Sequence, residues 1–291
     1  MKFKVTIGIC GRNCQDIVEF ALESVTMQDF SHELMEIVFV DDGSGDNTLK
    51  TVKEYLSRID ISSRVFSDKW QGLGKARNKI ISNALGEYII WVDSDEILTK
   101  DFVRKQVTIM EGNPKAGIVS GRLGILQDEN LMLTLELIPG VVEYSLQDWK
   151  GPAKFPGTGG ATYRVVAARQ VGGFAEEISG IGEDIEIASR IRDAGWQILR
   201  GEGVFYEKHG KISNWVNQLR RIVNQGVQSR QLYRKTDRFY SLLKMNPFAS
   251  SITGIRYAVK GYRVTRRKIV FLLPPHYSVK MLAWFYGFSK G

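Results

Sequence analysis

Two short apolar runs in this chain stop abruptly at clustered carboxylates, and little else in the sequence constrains the fold so tightly. Ile37–Val40 runs into Asp41-Asp42-Gly43-Ser44, and Tyr88–Val92 runs into Asp93-Ser94-Asp95. A short apolar run bounded by turn residues reads as a buried strand. The segments between and around these runs carry the helical period instead. Residues 3–10 read as a first buried strand, and residues 14–27 place Ile17, Val18, Ala21, Leu22 and Val25 on one helical face. Asp46–Leu56 reads as a helix with Asp46 as its N-cap, Val65-Phe66 as a short strand, and residues 72–85 as a Gly-rich turn entering a helix. Strand–helix alternation of this kind predicts a largely parallel sheet covered on both faces. In such sheets ligands bind beyond the carboxyl ends of the strands, which is where both acidic clusters fall.

The later part of the chain is less regular. From about 114 to 165 the pattern is mixed, with turn signals at Pro139-Gly140, Gly151-Pro152 and Pro156-Gly157. A helix over 183–194 is stopped by Gly195. Residues 213–236 read as a helix with Trp215, Val216, Leu219, Ile222 and Val223 on its apolar face, and 252–291 is basic and aromatic, interrupted by Pro274-Pro275. The expected division is a catalytic domain over 1–212 and a basic, amphipathic helical region over 213–291.

Charge follows this division. From Phe205 onward there are 17 Lys+Arg and 2 Asp+Glu, a net of +15, whereas the first 204 residues carry a net of −7. An acidic body with a basic tail suggests that the tail meets something anionic: phospholipid, nucleic acid or a phosphorylated substrate. Cys10 and Cys14 have no His or Cys cluster around them, so they read as reduced thiols and not as a zinc site or disulfide framework. MKFKVTIGIC reads as a first strand, not a signal peptide, and no run approaches the length of a membrane-spanning helix. The expected location is cytoplasmic, with peripheral attachment to the membrane face.

Residues two apart at a strand-to-loop transition can present carboxylates to one point. Asp93 and Asp95 therefore suit a hard cation such as Mg²⁺ or Mn²⁺, which keeps waters and takes substrate phosphate oxygens. A solvated turn with Asp95 as a cap is the plain alternative. Asp41 and Asp42 can accept hydrogen bonds from a nucleobase N–H or a ribose hydroxyl, or can simply close a turn with Gly43 at positive φ.

Taken in order, the motifs resemble family 2 glycosyltransferases with the GT-A fold, over roughly residues 3–210, and in particular membrane-associated archaeal and bacterial members. Val5-Thr-Ile-Gly-Ile-Cys-Gly-Arg-Asn13 is similar to the family's first strand and nucleotide loop, and Ser24-Val-Thr-Met-Gln28 to its helix-end signature. Val40-Asp-Asp-Gly-Ser44 resembles the base- and ribose-binding loop, Gly72-Leu-Gly-Lys-Ala-Arg-Asn78 with Ala84-Leu-Gly86 the segment before the metal strand, and Trp91-Val-Asp-Ser-Asp95 the metal motif. The implied fold is a mixed, mostly parallel α/β sheet flanked by helices, followed by the basic helical extension.

The resemblance also implies roles. Cys10, Arg12, Asn13, Asp41, Asp42, Lys75, Arg77 and Ser94 would line the donor nucleotide. Arg77, and Lys75 beside it, would face the diphosphate or brace the nucleotide aspartates, with a structural ion pair as the alternative for Arg77. Arg12 stands where the family often has an aromatic residue, and Cys14 where an acidic residue is common. The choice between UDP and GDP therefore stays open. Gly157-Thr-Gly-Gly-Ala-Thr-Tyr-Arg164, with Gly159 and Gly160, would shape the donor-sugar and acceptor pocket; read from residues alone it is a phosphate cradle or a tight turn. Val171-Gly-Gly-Phe174 and Gly182-Glu-Asp-Ile-Glu-Ile187 follow at the family's spacing. Asp184 would be the general base of an inverting transfer, taking the acceptor proton, with Glu183 bonding the acceptor or the loop; helix capping is the plain reading of both. His209 would complete the metal site.

Gln218-Leu-Arg-Arg221 is similar to the Gln-x-x-Arg-Trp segment of processive relatives, with Ile222 in place of Trp. Gln218 and Arg221 would then contact acceptor or diphosphate, or else belong to a packing helix. Over 256–291, basic residues interleave with Tyr257, Tyr262, Phe271, Trp284, Phe285, Tyr286 and Phe288, a composition suited to an anionic bilayer and a lipid-linked acceptor, or to a helical cap. Two other activities fit less well. A nucleotidyltransferase needs a denser Gly loop than Cys-Gly-Arg-Asn-Cys, and a nucleic-acid binder explains the tail but not the acidic strand ends. Donor sugar, acceptor and oligomeric state are not legible.

Overall fold

A computed structural model of the chain describes residues 3–126, 131–146, 157–176, 182–208, 215–236 and 247–290. The contacts group these into two compact units. The first comprises 1–124 with 148–208, and the second 125–147 with 209–291.

The first unit is built on eight strands: β1 (Val5–Gly11), β2 (Met35–Asp42), β3 (Ser62–Asp68), β4 (Tyr88–Asp93), β5 (Glu96–Leu98), β6 (Ala116–Leu123), β7 (Thr162–Arg164) and β8 (Gln197–Glu207). Their order in the sheet is β3-β2-β1-β4-β7-β6-β8-β5. β3, β2, β1 and β4 run parallel, β7 is antiparallel to both neighbours, and β6 and β8 are parallel. The sheet is thus mixed and mostly parallel, as expected. Its central strands are apolar on both sides because both faces are covered. Val5, Ile7 and Ile9, with Tyr88, Ile90 and Val92, pack on the side of the helices Val18–Thr26, Thr48–Leu56 and Phe102–Gly112. Ile89 and Trp91 point to the other side, toward the helices Leu73–Asn83, Val165–Gln170 and Glu183–Asp193. This period-2 division is what turned the short runs of the sequence into two cores.

The second unit is helical among its described residues: Leu131–Leu146, Trp215–Thr236, Pro247–Thr265 and Leu273–Lys290. One sequence expectation needs correction here. Pro139-Gly140 does not make a turn but lies inside the helix Leu131–Leu146. Leu135, Ile138 and Val142 form one buried stripe of that helix against Ala258, Val270 and Leu273, and this burial outweighs the lost backbone bond. Pro274-Pro275 occupies the first turn of Leu273–Lys290, where a missing N–H costs nothing, so the interruption of the basic stretch falls just ahead of it. The Gly151-Pro152 signal and His209 lie outside the described residues.

Candidate functional site

Register determines what meets at the carboxyl ends of the parallel strands. Gly11 pairs with Asp41 across β1–β2, and Cys10 pairs with Asp93 across β1–β4. The two acidic strand ends therefore flank the end of β1, about 10 Å apart at a strand spacing of roughly 4.8 Å.

The loops around Asp41 are laced together. The Asn13 N–H donates to Ser44 Oγ at 3.0 Å, and the Gly45 N–H to Asn13 Oδ1 at 2.8 Å. Asn13 holds φ 52, a left-handed conformation that Asn tolerates. Asp41 accepts from the Ser44 hydroxyl and, at 3.1 Å, from that of Ser67. Asp42 accepts the N–H groups of Gln71 at 2.8 Å and Gly72 at 3.1 Å, so it fixes the loop after β3. Gly43 has φ +75, and a side chain there would strike the Trp70 backbone nitrogen at 2.5 Å. That approach carries Trp70 to the rim, where it is 63% exposed with the Arg12 guanidinium 5.3 Å from its ring centre. The family's aromatic residue is missing at position 12, but this pair puts an aromatic face nearby. Trp70 was not singled out from sequence; its place depends on the Asp42 and Gly43 contacts. Lys75 lines a cleft of about 360 Å³ together with Asp42, Asp68, Gln71, Lys79 and Glu176.

Around Asp93 the decisive group is Arg77. Its side chain is only 4% exposed, donating to Glu183 Oε1 at 2.7 Å and reaching Asp93 Oδ1 at 3.4 Å. Phe174 lies under the guanidinium at 5.4 Å, itself packed on Trp91 and Tyr163. Arg77 thus braces Asp93 and Glu183, and not the nucleotide aspartates. Glu183 is buried and committed to this ion pair. Asp184, one residue on, is half-buried, and one of its oxygens accepts the Ile185 N–H at 2.7 Å. Its other oxygen lies 3.3 Å from where a side chain on Gly157 would begin, so the Gly157 loop passes directly over it.

Glu96 ties that loop to the metal motif. It accepts N–H groups from Asp93 at 3.0 Å and from Gly160 at 3.1 Å. A side chain on Gly159 would collide with it. The Gly160 amide is therefore already used, which argues against a simple phosphate cradle at that position. Burial, then the nearby Asp93 charge, pushes the Glu96 carboxyl well above its ordinary range. Desolvation also raises Asp93, against the pull of Arg77 and with the help of Glu207 and Glu183. Burial pushes the Cys10 thiol up to about 12, so it stays a neutral wall of the site. The Cys14 thiol is raised by burial as well, although Ser94 and Thr48 hydrogen-bond to it.

The donor set fits a hard divalent cation. Asp93, Asp95, Glu96 and Glu207 place oxygen donors at one edge, and burial holds the Asp93 and Glu96 carboxyls above their ordinary range. Among the described residues no three candidate ligands already surround one point. Two protein carboxylates completed by substrate oxygens and water is the set that Mg²⁺ or Mn²⁺ commonly takes. Lys208 donates its N–H to the Asp95 carbonyl at 2.5 Å, which brings the end of β8 beside the motif. Gln218 and Arg221 belong to the helix Trp215–Thr236 of the second unit, half-buried and exposed respectively.

The Glycosyl transferase family 2 profile matches residues 6–172. The chain belongs to that family. TarS of Staphylococcus aureus, a poly(ribitol-phosphate) beta-N-acetylglucosaminyltransferase, is 31% identical over 111 residues, covering 38% of this chain and 19% of that protein. The cholesterol galactosyltransferase of Borreliella burgdorferi is 33% identical over 95 residues, covering 33% and 26%. This family 2 chain thus spans well under half the length of these curated relatives. The mannosyltransferase PcManGT from Pyrobaculum calidifontis, solved with GDP-Man and Mn²⁺, superposes with a TM-score of 0.65 at 16% identity, covering 100% of this chain and 87% of that one. The family 2 chain therefore has the GT-A fold expected from its motifs.

Proposed function

We propose that the chain moves a sugar from a UDP- or GDP-linked donor to an acceptor hydroxyl, with inversion and with a divalent cation. One observation carries this reading most directly: Asp41 and Asp93 flank the end of β1 in register. A nucleoside laid over Asn13, Asp41 and the Arg12–Trp70 pair would extend its diphosphate toward Asp93 and Asp95. Lys75, in the cleft beside Asp42, and Ser94, between Asp93 and Asp95, would contribute to donor binding. Asp93 and Asp95, with His209 as a third ligand, would hold Mg²⁺ or Mn²⁺. The chemistry such a cation supplies when bound is neutralisation of the departing diphosphate.

The chain's own residues divide the remaining work. Arg77 fixes Asp93 and turns Glu183 inward, which leaves Asp184 as the half-open carboxylate at the start of its helix. Asp184 would accept the proton of the attacking hydroxyl on the side facing the Gly157–Gly160 loop. The acceptor is proposed to be lipid-linked or a glycan, met at a membrane surface. No described helix is long and apolar enough to cross a membrane.

A panel of UDP- and GDP-sugars with Mg²⁺ or Mn²⁺, with and without lipid extract, tests this reading. Cation-dependent release of nucleoside diphosphate from one donor is expected. Release from none, in the presence of lipid extract, would refute it.

A further inference from the structure

The helix Pro247–Thr265 has two distinct sides. Gly254, Ala258 and Gly261 are buried on one. A side chain on Gly254 would meet Pro274 Cα at 2.6 Å, and one on Gly261 would meet Ile138 at 3.1 Å, so small residues let neighbouring segments close in. On the other side Ile252, Ile255 and Val259 are 62%, 53% and 47% exposed. Arg256 and Arg263 are exposed as well. At 3.6 residues per turn these five positions fall within an arc of about 100°. The chain continues into Arg266 and Lys268, both exposed, and into Phe271 and Leu272, exposed at 55% and 44%. No Asp or Glu occurs anywhere from 247 to 291. Of the aromatic residues that the sequence offered for the same task, Phe271 and Tyr286 are exposed. Trp284 is buried and stacked with Phe288, and Tyr257 stacks on Tyr277.

We infer that the face formed by Ile252, Ile255, Val259, Phe271 and Leu272, with Arg256, Arg263, Arg266 and Lys268 beside them, seats the second unit on an anionic bilayer. Exposed aliphatic side chains next to unneutralised basic ones match the boundary between acyl chains and acidic headgroups. A second copy of the chain would bring like charges together, and a nucleic acid would leave the aliphatic residues unburied. The inference deepens the membrane-surface reading above and rests on it, by naming the surface that meets the lipid.

The test is flotation of the full chain with vesicles of phosphatidylglycerol and phosphatidylcholine in equal parts, or of phosphatidylcholine alone, without donor or acceptor. Binding is expected only to the anionic vesicles and should weaken with salt. R256Q/R263Q should lower the partition coefficient about 30-fold. I252S/I255S/V259S should abolish flotation even though every basic residue remains. L282S, at another exposed aliphatic position, should leave binding unchanged. Circular dichroism of each variant checks folding. Failure of the wild type to float, binding insensitive to both sets of substitutions, or binding to DNA in preference to anionic vesicles would overturn the inference. Because no donor is present, a protein that floats yet releases no nucleotide would count against the transferase reading alone.

Discussion

In the first unit a single buried guanidinium joins segments 106 residues apart, with Arg77 holding Glu183 while it reaches Asp93. In the second, facing helices meet through glycines, with Gly287 against the Val223 carbonyl and Gly226 against that of Trp284. The first arrangement is directional and costly to desolvate; the second depends on shape. Glu36 shows the same habit as Arg77: fully inside the first unit, it accepts from Thr6 Oγ1 at 2.6 Å, the Leu85 N–H at 2.7 Å and Arg64 at 2.6 Å. The difference explains where each unit can carry function. Buried polar ties hold carboxylates in place at the strand ends, while close helix packing turns small residues inward and leaves charge and aliphatic surface outside.

Asp184→Asn should have the largest effect, lowering kcat about 10²–10⁴-fold while leaving donor binding unchanged. A matching loss of donor affinity would mean that Asp184 belongs to the scaffold and not to proton transfer. Arg77→Ala should destabilise the first unit by about 3–5 kcal/mol, because it strands Glu183 as a buried charge. Arg77→Lys should not rescue it, since one ammonium cannot span both carboxylates. Urea unfolding measures both, and an unchanged midpoint for the alanine variant would remove Arg77 from its bracing role.

In the second unit the nearest analogue is Glu136, which His276 Nε2 approaches at 2.8 Å and which Lys280 also contacts. Burial penalises its charge, but bonds from His276 and Lys280 outweigh this and hold its pKa below the ordinary 4.5. The folded state therefore favours the ionised form. Its stabilisation is present above pH 4.5 and is lost as pH falls through the lower, folded value. Glu136→Gln should cost about 1.5–3 kcal/mol near neutral pH and flatten the acid limb of the stability curve. An acid limb identical to wild type would show that this cluster contributes nothing.

How much of this was legible follows from the same contrast. β1, β2 and β4 were readable because strands buried on both faces are almost wholly apolar and end sharply at Asp41 and Asp93. The helix Glu183–Asp193 announced itself through Gly182, its acidic first turn and Gly195 at φ +92. β6 and β8 were not readable as full strands, because Arg122, Arg200 and several glycines break their apolar pattern. The helix through Pro139 was hidden because local chemistry argues for a turn and only tertiary burial reverses it. Within the site, Asp93 could be found from its neighbours in sequence. The Arg77–Glu183 pair and the Arg12–Trp70 pair could not, since each joins residues far apart in the chain. Glu96 was visible as one more acid after Asp95, but its hold on the Gly160 loop was not.

The central claim is that the acidic end of β4 holds a cation under a nucleoside diphosphate. Calorimetric titration of UDP and GDP into the wild type and into D93N/D95N, with Mn²⁺ or with a chelator, tests it most directly. The account predicts cation-dependent binding of one nucleotide to the wild type and loss of that dependence in the variant. Equal binding in chelator, or equal cation dependence in both proteins, would contradict it.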